Sequence, residues 1–151
     1  MKGDEKVIDF LNEALKNELT AINQYWLHYR MLDNWGVARL AKFEREESID
    51  EMKHADQLAD RILFLGRLRV GETVEEILKA DLALEEEAIP LLKDAMAHSE
   101  SVRDYVSRDL FGSILESEEH HVDELEKQFE MIERMGMENY IQLQSKPAGD
   151  D

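Results

Sequence analysis

The sequence predicts an all-α protein, a four-helix bundle with a short fifth helix at its C-terminal end. Three observations carry that expectation. Apolar residues recur every three to four positions through four long blocks. Only two prolines and seven glycines interrupt 151 residues. The charged residues, 35% of the chain, follow the helical periods and do not gather into runs. A chain of this length buries one apolar core without dividing, so residues 1–151 are expected to form a single domain.

Asp4 is suited to cap the first helix, which should run to about Asp33 on the stripe Val7, Leu11, Ala14, Ile22, Tyr25, Tyr29 and Leu32. Asp33, Asn34, Trp35 and Gly36 make the turn. The second helix is expected from about Val37 to Leu65, on Leu40, Phe43, Leu58, Ile62 and Leu65, and the stretch from Gly66 to Gly71 breaks the pattern. Thr73 followed by Glu76 reads as a capping box that starts the third helix. That helix should reach about His98 through Val74, Leu78, Glu85, Ala88, Leu92 and Ala95, with a local kink at Pro90, which lacks a backbone donor. Ser101 and Asp104 mark the start of a fourth helix carrying Phe111, Ile114, Leu125, Phe129 and Ile132 and ending near Gly136. Glu138 to Gln144 can form the short fifth helix, and the tail from Lys146 should fray. Four helices of this kind are each about 40 Å long and meet along seams of period near 3.5.

The formal charge of −17 argues against nucleic acid, which needs a positive patch, and favours cations. No run of about 18 apolar residues suggests a membrane span, and the acidic start does not resemble a secretory leader, so a cytoplasmic location is expected. With no cysteine, any metal must be held by Glu, Asp, His or Met.

The informative residues are the polar ones that fall inside the apolar seams. The first helix places Glu18 between Ala14 and Ile22, and the second places Glu47, Glu51 and His54 between Phe43 and Leu58. The third has Asp81 and Glu85 between Leu78 and Ala88, and the fourth has Glu118 and His121 between Ile114 and Leu125. Glu18 and Glu51 lie 33 residues apart, as do Glu85 and Glu118, so the two halves of the chain repeat. Glu51 with His54, and Glu118 with His121, form Glu-x-x-His turns, whose side chains share a helix face. Buried carboxylates need a counter-charge, and no Lys or Arg occupies a seam position. Two divalent cations would balance four carboxylates, and oxygen-rich ligands with one imidazole per metal suit iron or manganese. This ligand pattern is the established one of di-iron carboxylate bundles, so reading it here is recognition of a known arrangement.

Over nearly its whole length the sequence resembles the bacterioferritin family, in MKGDEKVIDFLN, NELTAINQYWLHYR, EESIDEMKHAD, DLALE, SVRDYVSRDLF and ILESEEHHVDELE. The resemblance implies that Glu18, Glu51, His54, Glu85, Glu118 and His121 hold two iron ions, with Glu51 and Glu118 bridging. It makes Met52, which on spacing alone is a packing methionine, the axial ligand of a haem b shared between two subunits. It sets Tyr25 near the metals, where the residue serves either electron transfer or ordinary core packing. It further implies a ferroxidase using O2 or H2O2, a homo-24-mer storage cage built from two-fold dimers, and a bacterioferritin-associated ferredoxin that donates electrons through the haem for iron release. Glu46, Glu47 and Asp50 are candidate lining residues of the cage interior. The rival reading is a haem-binding electron-transfer bundle without ferroxidase activity.

Three departures from the family stand out. Glu46 occupies a position where many members have histidine, so an inner-surface site with Asp50 would be all carboxylate. Glu124 stands where tryptophan is frequent. The connection after Leu65 looks about nine residues short: parallel second and third helices would require a climb of about 33 Å in nine steps that reach roughly 30 to 32 Å. Frayed helix ends, a deletion, helix exchange between subunits, an all-antiparallel bundle or residues absent from this sequence each answer that shortfall.

Overall fold

The computed structural model describes residues 2–66, 68 and 73–149. Among them are five helices and no strand: α1 (Glu5–Asn34), α2 (Ala38–Leu65), α3 (Val74–Ser101), α4 (Tyr105–Met135) and α5 (Met137–Gln144). The expected all-α class and order of elements are borne out. The chain divides into two compact units, one holding α1 and α2 and the other α3 to α5. The break expected from Gly66 to Gly71, and the short connection it belongs to, lie largely outside the described residues.

In the first unit α1 starts where Asp4 Oδ1 accepts the Val7 N–H at 3.0 Å. It ends in a 6→1, 5→2 pair of hydrogen bonds, Val37 N–H to Leu32 O and Gly36 N–H to Asp33 O. Gly36 has φ +76°, and a Cβ there would meet nothing within 4 Å, so backbone handedness and not space calls for glycine. α2 packs back against α1 through Ala41, Ser48, Ala55 and Ile62, all buried and spaced seven apart. Ser48 Oγ donates to the Ile22 carbonyl at 2.8 Å across this seam. Of the expected stripe, Ile62 and Leu65 are buried and Leu58 half-buried, while Leu40 and Phe43 are exposed and take no part in the α1–α2 seam, which small side chains form.

In the second unit Thr73 Oγ1 accepts the Glu76 N–H at 3.1 Å, the expected start of α3. The helix continues through Pro90 to Ser101, three residues beyond the expected end. Its C-terminus closes as α1 does, with Arg103 N–H on Glu100 O and Asp104 N–H on Ser99 O, but here Arg103 takes the left-handed position at φ +62°. Asp104 then caps α4 by accepting from the backbone and hydroxyl of Ser107. α5 is docked by Tyr140, buried, whose hydroxyl donates to Gln128 Oε1 at 2.6 Å.

Candidate metal centre

Each unit assembles one half of the expected ligand set by itself. In the first, α1 supplies Glu18 and α2 supplies Glu51 and His54. His54 Nδ1 lies 3.5 Å from Glu51 Oε2 and 3.8 Å from Glu18 Oε2. In the second, α3 supplies Glu85 and α4 supplies Glu118 and His121, with His121 Nδ1 3.3 Å from an oxygen of each. In each group one ligand atom from every residue falls within 4.8 Å of the others. The four carboxylate side chains are 18–25% exposed and the two imidazoles about half exposed. The glutamates are thus shielded between the helices of each pair, and the imidazoles are more open to solvent.

The local sequence explains this convergence. A three-residue step returns Glu51 and His54, or Glu118 and His121, to one face a turn apart. The partner helix then brings Glu18 or Glu85 to the same level. Among the described residues no Lys or Arg ion pair reaches any of the four carboxylates. Glu18 Oε2 is buried with no hydrogen-bond donor. Two anionic oxygens and one imidazole without a cationic partner suit a divalent transition metal.

The other expected residues are distributed more loosely. Tyr25 and Glu47 are half-buried. Glu46 and Asp50 are exposed and pair with Lys42 and Lys53, each at 3.8 Å. Asp81, read as a seam residue, is exposed: it turns to solvent while Leu82 and Glu85 take the inner positions. It lines an open cleft of about 330 Å³ beside the second triad, with Glu85, His121 and Glu124.

Met52 is 53% exposed, and the outer faces of the same hairpin also expose Leu19, Trp26 and Ile49. An open groove of about 1020 Å³ on the same hairpin is lined by Leu19 and by polar and charged residues that include Asp9, Glu13, Lys16 and Asp56, and Met52, Trp26 and Ile49 do not line it. An exposed thioether is able to ligate a haem iron, and the hairpin that carries it exposes apolar and aromatic side chains as well.

Two further clusters were not foreseen. His28 Nδ1 faces Glu44 Oε2 at 4.0 Å between α1 and α2. The signal in the sequence was the placement of Glu44 on the face of Glu47 and Glu51. On α4, His120, Asp123 and Glu124 converge at the surface, but Lys127 already pairs with both carboxylates, at 2.6 Å from Asp123 and 3.0 Å from Glu124.

Comparison with known proteins accords with this geometry. The family model for the ferritin-like domain matches residues 8–135. A bacterioferritin of Brucella melitensis is 48% identical over 159 aligned positions covering 99% of both chains. One of Rhodobacter capsulatus is 47% identical over 97% of both. One of Streptomyces coelicolor is 45% identical over 99% of this chain and 98% of its own. In the Brucella alignment, 159 positions against 151 residues leave at least eight where the relative has a residue and this chain has none. The match over residues 8–135 and the near full-length identity together establish that the chain belongs to the ferritin-like family, among the bacterioferritins.

Proposed function

We propose that this chain is the subunit of an iron store and a ferroxidase, a single domain over residues 1–151 that brings its two triads together around two iron ions. Family membership supports iron storage. The observation that carries the finer reading is that each helical pair gathers its own Glu, Glu and His, with carboxylates left unneutralised by any Lys or Arg among the described residues. Four carboxylates carry the charge that two ferrous ions would balance, and Glu51 and Glu118 would be the ligands shared by both. Two Fe(II) ions taken up there as substrate would each give one electron, so that with two protons from water O2 becomes H2O2, or H2O2 becomes two waters, and the ions leave as Fe(III). The half-buried glutamates strip water from the arriving cation, and the open imidazoles complete its coordination. Tyr25, half-buried on α1, is the neighbouring residue suited to donate an electron.

Met52, exposed on α2, would hold a haem b shared between the two subunits of a two-fold dimer, and the exposed Leu19, Trp26 and Ile49 of the same hairpin would offer apolar surface to it. Haem supplies one-electron chemistry for iron release, with a bacterioferritin-associated ferredoxin as donor. The dimers build a cytoplasmic 24-subunit cage, with Glu46, Glu47 and Asp50 at its lining, where Fe(III) is kept as mineral.

Anaerobic addition of Fe(II) to the metal-free protein, followed by air, tests this. Near-ultraviolet absorbance and a sizing column are recorded beside Glu18→Ala and Glu118→Ala. Two irons per subunit, oxidation lost in both variants and a large particle are expected. Haem uptake without oxidation would overturn the ferroxidase and leave the electron-transfer bundle.

A further inference from the structure

Among the described residues only two buried side-chain oxygen or nitrogen atoms lack a hydrogen-bond partner, Glu18 Oε2 and Glu44 Oε2. Both belong to the first helical pair, and both face an imidazole across α1 and α2: His54 Nδ1 at 3.8 Å from Glu18, and His28 Nδ1 at 4.0 Å from Glu44. Glu18 is accounted for by the candidate metal triad. Glu44 is not.

We propose that Glu44 and His28 form a second, separate site for one divalent transition-metal ion. The Glu44 side chain is 16% exposed, less than Glu18 at 25%, so its missing donor matters at least as much. A carboxylate oxygen removed from water without a partner is destabilising. No Lys or Arg ion pair reaches it among the described residues, and 4.0 Å is too long for a hydrogen bond from His28. The gap does suit an ion between the two atoms. With bonds of about 2.1 Å to each, the ligand atoms stand about 3.0 to 3.4 Å apart, so the pair must close by about 0.6 to 1.0 Å. His28 is half exposed, which leaves its ring room for that movement and the ion room for waters.

One carboxylate oxygen and one imidazole nitrogen select Fe(II), Mn(II), Co(II) or Zn(II) over magnesium or calcium, which prefer oxygen alone. Glu44 precedes Glu51 by seven residues, about 10 Å along α2, with the half-buried Glu47 on the same face between them. The site is therefore positioned as a waiting place for iron on the way to or from Glu51. That role rests on the proposed function, whereas the site itself does not.

The test is anaerobic Co(II) titration of the full metal-free chain, followed by calorimetry and visible absorbance. A background of Glu18→Gln, Glu51→Gln, Glu85→Gln and Glu118→Gln removes the triad carboxylates. One Co(II) per chain is expected in that background, and none once Glu44→Gln or His28→Gln is added, with unchanged helical circular dichroism. Should the background not fold, Glu44→Gln alone in the natural chain must lower the stoichiometry by one. A background that binds no Co(II), or a count insensitive to both Glu44→Gln and His28→Gln, overturns the proposal. If the natural chain binds only the one ion of the background, the triads fail as metal ligands while this site stands.

Discussion

Replacing Glu18 with glutamine should strengthen the metal-free protein and remove its response to metal, two effects of opposite sign from one atom. Glu18 Oε2 is buried without a donor and stands 3.8 Å from His54 Nδ1, which lies 3.5 Å from Glu51 Oε2. An unsatisfied buried polar group costs about 1–3 kcal/mol. The side chain keeps 25% of its exposure, which reduces that figure to about 1 kcal/mol. Glutamine retains the shape, removes the charge and offers an amide donor to Glu51. For a chain of this size the gain is about 2–4 °C in Tm. With divalent metal at about a hundredfold above Kd, the natural protein gains about 2.7 kcal/mol and Glu18→Gln loses most of it. The order of stability therefore reverses between chelator and metal. Thermal unfolding of both proteins with EDTA and with anaerobic Mn(II) or Fe(II) reads this directly. A variant less stable than the natural chain in chelator would refute the account of the buried acid. Undiminished metal stabilisation would refute Glu18 as a ligand.

Three other expectations concern the scaffold. Ser48→Leu forces a large side chain into the buried seam where Ser48 Oγ bonds the Ile22 carbonyl, and should cost about 2 kcal/mol or more in urea unfolding. Arg103→Gly relieves the left-handed backbone at φ +62° and should raise stability by about 1 kcal/mol in the same assay. The Ser107 backbone N–H, and then its hydroxyl, hold the Asp104 carboxyl below its ordinary value of 3.8. A depressed folded value adds stability above the unfolded one and loses it as pH falls through the folded one. Acid unfolding followed below about pH 4 should therefore be less steep for Asp104→Asn than for the natural chain.

The helices were legible because their causes are local. Asp4, Thr73 and Asp104 each cap the helix that follows by accepting a nearby backbone N–H, and such contacts span three residues. The Glu-x-x-His turns were legible for the same reason, since i and i+3 share a face wherever a helix forms. Glu18 and Glu85 were found through the repeated 33-residue spacing and the seam they interrupt. What escaped involved the choice of neighbour across two helices. Large apolar residues announced a seam at Leu40 and Phe43, yet the helices meet on Ala41, Ser48 and Ala55. Small side chains carry little hydrophobic signal, although they permit the closest approach.

By itself, then, the sequence determined the all-α class, the order and the capped starts of the helices and the six residues that repeat as two Glu, Glu-x-x-His sets, because period and capping are written within a few residues of each other. Only the tertiary structure decided that Asp81 turns outward while Glu85 turns in, that Met52 stands exposed, and that Glu44 faces His28. Those outcomes depend on how one helix is rotated against the next. Packing across the pair sets that rotation, and no periodicity within a single helix encodes it.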